Sequence, residues 1–255
     1  MQDFLERNIG IISEEEQGKI SKSKVALLGL GAGSVIAGLL VRLGVEHLLI
    51  ADGDTVSKSN LNRQLYVADD VGSSKTSRTE KALKAINPKL DLTVYDSYLS
   101  DSNLPILKGY NVIVDTIDLS AVNVIMSVHS LARQENIPVI FPINLGWKSM
   151  VTVFDDKSET LDDMLGDSSR ADTGNFSFWA TFLEKYVPEH GLEKYRAFLD
   201  KASKMEDWCP APQIGATVYA TASLVTTLLA KIVNDQTYTH APKFDCLDLF
   251  RPEIE

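Results

Sequence analysis

Lys24-Val25-Ala26-Leu27-Leu28-Gly29-Leu30-Gly31-Ala32-Gly33-Ser34 is the stretch from which the fold reads. Residues 24–30 form a continuous apolar run, the pattern of a parallel strand buried on both faces. A glycine-rich turn follows, and then residues 34–44, SVIAGLLVRLG, read as an apolar helix. A strand, a glycine turn and a helix in that order suit phosphate binding. Glycines let the backbone approach closely, and a helix start offers unpaired N–H groups at the positive end of its dipole. Gly29, Gly31 and Gly33 are spaced G-x-G-x-G, one residue short of the dinucleotide fingerprint G-x-G-x-x-G, so the loop alone fits a nucleotide site or a tight turn equally well.

Working outward, the chain alternates short apolar runs with helical patterns. Ser13 followed by Glu14, Glu15 and Glu16 predicts a capping box opening a short helix over 12–21. Strands are expected at 47–52, 91–97, 110–116, 137–144 and 149–156, and helices at 76–87, stopped by Pro88, and at 121–136. This order predicts an α/β fold: a doubly wound, Rossmann-like, mostly parallel sheet with its ligand crevice at the carboxyl ends of the strands.

The character changes after Asp155. Residues 155–175, rich in Asp, Ser, Thr and Gly, read as a surface loop or lid. Over 176–205 the aromatics Phe178, Phe182, Tyr186, Tyr195 and Phe198 fall at helical spacing and predict core-facing helices. A long helix of small apolar residues follows at 213–233, its Thr221, Ser223 and Thr226 arguing against a membrane span, and FDCLDLF reads as a final strand in which Cys246 packs. The expected organisation is a nucleotide-binding core over 1–154, an insertion or lid-like segment over 155–205, and a less regular C-terminal helix and strand over 206–255 completing the same domain.

Composition narrows the function classes. The 255 residues are 44% hydrophobic, ample for a buried core. A net charge of −10 weighs against a broad nucleic-acid surface, which needs Lys and Arg to neutralise phosphates. The N-terminus lacks the basic and apolar regions of a signal peptide, and a soluble, cytoplasmic protein is expected. Cys209 and Cys246 are too few for a four-cysteine zinc site, and His47, His129, His190 and His240 have no metal-ligand spacing.

Asp52 and Asp54, at the end of the second strand, stand where an acid accepts hydrogen bonds from ribose hydroxyls, in ATP and NAD sites alike. The residues beyond break the tie. From Asp52 to Gln64, DGDTVSKSNLNRQ resembles the D-x-D-x-V-x-x-S-N-L-x-R-Q signature of the ThiF/MoeB/HesA family, the bacterial relatives of ubiquitin-activating enzymes, over thirteen positions in register. Val71-Gly72 with Lys75 resembles its V-G-x-x-K, Asn87-Pro88 its N-P, Asp115 through Asp118 its D-x-x-D, and Arg7-Asn8 with Ser13 to Gln17 its opening segment. The resemblance is good over 5–150 and thinner beyond.

That resemblance implies an ATP-dependent adenylyltransferase that activates a carboxylate: the C-terminus of a ubiquitin-like or sulfur-carrier protein, a peptide C-terminus, or a small acid. Attack on the α-phosphate with loss of pyrophosphate calls for cations on the phosphoryl charge, a bridging metal and in-line positioning. By resemblance Arg63 and Lys75 face the triphosphate, Asp52 the ribose, and Asp118 the magnesium and reacting phosphate, with Asn60 and Gln64 as neutral polar contacts. The counterpart of Arg7 reaches the neighbouring subunit's nucleotide in this family, which implies a homodimer.

Three departures accompany the match. The glycine loop is shorter than the family's G-x-G-G-x-G, Leu119 replaces the usual Asn after D-x-x-D, and the C-x-x-C zinc ligands are absent. Cys209, just ahead of the 213–233 helix, is a candidate acyl-accepting thiol or an inert small hydrophobe. An NAD-dependent oxidoreductase on the same sheet would require the longer glycine spacing, and a non-catalytic nucleotide-binding module would account for Leu119 and the missing zinc ligands.

Overall fold

The computed structural model describes residues 3–165, 177–186, 198 and 211–250. Seven strands, β1 (Lys24–Leu28), β2 (His47–Ala51), β3 (Asp91–Tyr95), β4 (Val112–Asp115), β5 (Val139–Leu145), β6 (Lys148–Phe154) and β7 (Asp245–Asp248), form one sheet in the order β3-β2-β1-β4-β5-β6-β7. The first five strands run parallel, whereas β6 and β7 each join antiparallel. Residues 145–148 turn β5 straight back into β6, so no crossover helix intervenes. The strand order reverses between β1 and β4, which opens a crevice beyond their carboxyl ends.

Three helices precede β4: α1 (Glu14–Lys22), α2 (Gly33–Leu43) and α3 (Lys75–Ile86). After it come α4 (Val122–Gln134), α5 (Leu161–Leu165), α6 (Ser177–Tyr186) and α7 (Gly215–Val233). The capping box at Ser13 is present: its hydroxyl accepts from Glu16 N–H, and the Glu16 carboxylate accepts from Ser13 N–H at 2.8 Å. The Ser13 N–H and the Ser13 hydroxyl both donate to the Glu16 carboxylate and favour its ionised form, holding this carboxyl below its ordinary range.

Alternation along the strands sorts the core onto two faces. Val25, Leu27, Leu48, Ile50, Val112 and Val114 meet α2 and α7, and every buried member of this cluster is aliphatic. Ala26, Leu28, Leu49, Ile113 and Val139 face the other way, toward α4, α5 and α6, with Phe141, Phe154, Trp179 and Phe182 among them. Each fully buried Leu or Phe contributes about 1.5–3 kcal/mol by leaving water. Of the aromatics expected over 176–205, Phe182 is buried and Tyr186 and Phe198 pack partly buried on the same cluster; Tyr195 and the Phe178 side chain lie outside the described residues. Within 155–175, residues 161–165 are helical rather than loop, because Leu161 and Met164 are drawn into this core.

By length and composition α7 could cross a membrane. Here Val218, Ala222, Val225 and Leu229 lie against the sheet. The hydroxyl of Thr221 bonds to Ser149 at 2.6 Å, while those of Ser223 and Thr226 donate back to the carbonyls of Tyr219 and Ala222. One expectation is corrected: Cys246 is exposed instead of packed, since β7 is the sheet's edge and the middle of the strand faces solvent.

Candidate active site

A cleft of about 680 Å³ occupies the switch point. Of the residues singled out from sequence, Gly29, Gly31, Asp52, Asp54, Asn60, Arg63, Gln64, Lys75 and Asp118 all line it. Gly33 and Arg7 do not, and Cys209 lies outside the described residues.

The glycine turn is shaped by a crossing. After β4 the chain runs over the turn after β1: Thr116 N–H donates to Leu28 O at 2.8 Å, and its hydroxyl donates to Gly29 O at 2.7 Å. A Cβ on Gly29, at φ +84°, would fall 2.3 Å from Thr116 O, and one on Gly33 would fall 2.5 Å from Thr116 Oγ1. Those two glycines are therefore required by the 115–118 segment. Gly31 faces the cleft, and the start of α2 carries no side-chain cap. Helix-start N–H groups that no side chain satisfies are suited to a phosphate.

Asp52 braces the same turn. Its Oδ2 accepts from Leu30 N–H at 2.6 Å and its Oδ1 from Asp54 N–H at 2.8 Å, and each oxygen keeps a lone pair for a hydroxyl. Lys75, at the first position of α3, is buried with its ammonium 2.5 Å from Asp54 Oδ2. The immediate duty of Asp54 is thus to hold Lys75, a contact the sequence did not reveal.

Residues 58–66 are clamped between the glycine turn and the start of α7. Tyr66 OH donates to Leu30 O at 2.9 Å, and burial drives this phenol far above its ordinary pKa, so it stays a donor. Leu65 N–H donates to Ser34 Oγ at 3.1 Å. Arg63 Nε donates to Gln213 Oε1 at 2.8 Å, and its Nη1 to Ser59 O and Asn62 Oδ1. Burial lowers the Arg63 guanidinium pKa and the charge of Asp118 opposes that shift. Across the cleft, one oxygen of Asp118, Oδ1, accepts both the N–H and the hydroxyl of Ser120. Its Oδ2 has no hydrogen bond among the described residues. The Oε1 of buried Gln64 likewise has none, an orphaned acceptor that a ligand donor would satisfy.

Leu119 is anchored rather than loose. Its side chain packs on the aromatic core, and its carbonyl accepts from Trp179 Nε1 at 2.7 Å. Arg7 is exposed on a 3-10 turn, Asp3–Asn8, that docks through Asn8 and Gln17 on the carboxyl end of α2. At 11 residues α2 is about 16 Å long, so Arg7 lies a helix length from the glycine turn of its own chain. Sequence reasoning missed Gln213 and Trp179, neither of which carries a local signal, and it gave Asp115 no role beyond its place in the D-x-x-D motif.

Comparison with known proteins bears on the family and the fold. The ThiF family model matches residues 5–254, well beyond the stretch in which motifs could be recognised by eye. The sulfur carrier protein ThiS adenylyltransferase of Bacillus subtilis is 34% identical over 140 residues, 53% of this chain and 41% of that protein. SUMO-activating enzyme subunit 1 of Dictyostelium discoideum is 28% identical over 147 residues, 57% of this chain and 44% of that protein. The chain thus matches less than half the length of these relatives. Among solved structures, PaaA superposes with a TM-score of 0.69 at 21% identity, covering 94% of this chain and 73% of that one. Escherichia coli MccB with ATP superposes at 0.67 and 16% identity, covering 94% and 64%. The fold and the match over nearly the whole chain place this protein in the ThiF family.

Proposed function

We propose that this chain transfers AMP from ATP to a carboxylate, giving an acyl-adenylate and pyrophosphate. The observation that carries the proposal is the convergence of Arg63, Lys75, Asp52, Asp118 and the uncapped start of α2 on one cleft at the strand switch point. Two cations, a phosphate-suited helix start and a ribose-suited carboxylate match the charges of a nucleoside triphosphate.

In this reading Gly31 and the α2 N-terminus hold phosphate oxygens, Asp52 takes the ribose hydroxyls, and Gln64 Oε1 and Asn60 provide neutral polar contacts. The substrate carboxylate attacks the α-phosphorus in line as the bond to the pyrophosphate oxygen breaks. Arg63 and Lys75 stabilise the charge that spreads over the phosphoryl oxygens, a preorganised effect. Among the described residues no three His, Cys, Asp or Glu side chains cluster to hold a metal. Asp118 is the residue that would hold a magnesium ion bound with the nucleotide, and the ion would supply positive charge to the polyphosphate.

The carboxylate we favour is the C-terminus of a ubiquitin-like or sulfur-carrier protein, because the sequence relatives carry those names. Arg7, exposed and remote from its own cleft, would serve the partner cleft of a homodimer. Any thiol transfer to Cys209 would follow adenylation, so Cys209→Ser leaves pyrophosphate exchange intact.

Pyrophosphate–ATP exchange, run with carrier-protein C-termini, peptides and small acids alongside nucleotide titrations, tests the proposal. Exchange with one carboxylate class supports it. ATP affinity too weak to measure and no exchange with any class would remove it, and NADH binding in its place would favour an oxidoreductase.

A further inference from the structure

Asp115, the first acid of the D-x-x-D motif, closes β4 and lines the cleft while being 1% exposed. A buried carboxylate needs partners, and among the described residues it has two. Ile117 N–H donates to Oδ1 at 3.0 Å, and His129 Nε2 lies 3.1 Å from Oδ2. The first bond folds the chain toward Asp118. The second comes from α4, on the far side of the loop.

His129 is itself buried, and its ring is held edge-on by Phe154 at 4.8 Å and Phe141 at 5.5 Å between centroids. Those contacts aim Nε2 at Asp115. They also leave Nδ1 buried with no partner among the described residues. An imidazole with one nitrogen unsatisfied costs more at this position than a leucine or phenylalanine that would fill the same space. Packing alone does not account for a histidine here; its one polar contact does.

We propose that His129 is a positioning residue for the 115–118 loop: by donating to Asp115 it fixes the carboxylate that holds Ile117 and thereby sets Asp118 opposite Arg63. The catalytic consequence rests on the adenylation reading above, whereas the structural one does not. The same loop crosses the glycine turn through Thr116, so a displaced Asp115 would loosen both walls of the cleft.

Two variants test it. His129→Leu keeps the apolar contacts and removes the donor, whereas His129→Gln returns an amide N–H near the place of Nε2. In hydrogen exchange by NMR on the free protein, the Ile117 amide should exchange about tenfold faster in His129→Leu, the effect of losing one hydrogen bond to a charged group, and recover in His129→Gln. With ATP and an accepted carboxylate, the maximal pyrophosphate-exchange rate should fall about tenfold or more in His129→Leu with the ATP dissociation constant within about threefold, and recover in His129→Gln. An Ile117 amide indifferent to the donor, or a Gln variant no better than Leu, would overturn the proposal. The amide measurement needs no substrate. A wild-type protein without measurable ATP affinity and silent in pyrophosphate exchange with every carboxylate class therefore removes the function proposed above, while an unresponsive amide removes this inference.

Discussion

The two faces of the sheet are filled on different principles. Against α2 and α7 the buried hydrophobic side chains are all Val, Ile, Leu and Ala, groups whose burial is rewarded by area with little regard to direction, and the buried hydroxyls of Thr221 and Ser149 satisfy each other at the α7 seam. Against α4, α5 and α6 the aliphatic residues share the core with Phe141, Phe154, Trp179 and Phe182, and hydrogen bonds run from this layer to the acid loop: Trp179 Nε1 reaches Leu119 O, and His129 Nε2 reaches Asp115. Aromatic pairs and hydrogen bonds depend on orientation. The aliphatic face can therefore supply bulk stability while the aromatic face sets the acid loop. A volume-conserving change should be felt as stability on the first face and as activity on the second.

The largest effect expected is on the aromatic face. Phe141 touches His129, Phe154 and Trp179, and Phe141→Ala should cost about 3–5 kcal/mol in urea unfolding. A loss below 1 kcal/mol would mean that this core is loosely packed and that the contrast between faces is unfounded. Next, Arg63→Ala and Lys75→Ala should each lower pyrophosphate exchange by about 10²-fold or more in protein that remains folded, as for loss of a preorganised charge stabiliser. Undiminished exchange in both would detach the cleft from the chemistry. Trp179→Phe keeps the aromatic bulk and strips the donor from Leu119 O, so stability should drop by about 1–3 kcal/mol and exchange should fall with it. Unaltered exchange there would show that the aromatic face does not steer the loop. The smallest effect belongs to the aliphatic face. Ile36→Val on α2 should cost about 0.5–1.5 kcal/mol and leave the exchange rate alone, and a fall in rate would erase the distinction.

Much of this architecture was legible beforehand, and the reasons are local. Buried parallel strands read as unbroken apolar runs, and β1, β2 and β4 fall inside the expected segments with their ends shifted, while β5 overruns its segment by one residue. The shift at β1 is physical: Gly29 already has φ +84° and spends its N–H on Ala51 O, so the strand stops at Leu28. The Ser13 capping box spans four residues and could be read as such. The signature from Asp52 to Gln64 was recognisable because one loop carries several polar residues whose order cannot drift without losing the cleft.

What only the tertiary structure decided is which side chain serves which. That Gly29 and Gly33 make room for Thr116, that Asp54 holds Lys75, and that Gln213 steadies Arg63 are contacts across 21 to 150 residues of chain. The antiparallel return of β6 and the burial of His129 between Phe141 and Phe154 are of the same kind. Sequence alone determined the sheet, its glycine turn and the family of its nucleotide motif, because periodicity and local turn chemistry write those into neighbouring residues. It could not assign Asp115 to His129 or Leu119 to Trp179. Such pairings arise where β4, α4 and α6 pack together, and no period along the chain records them.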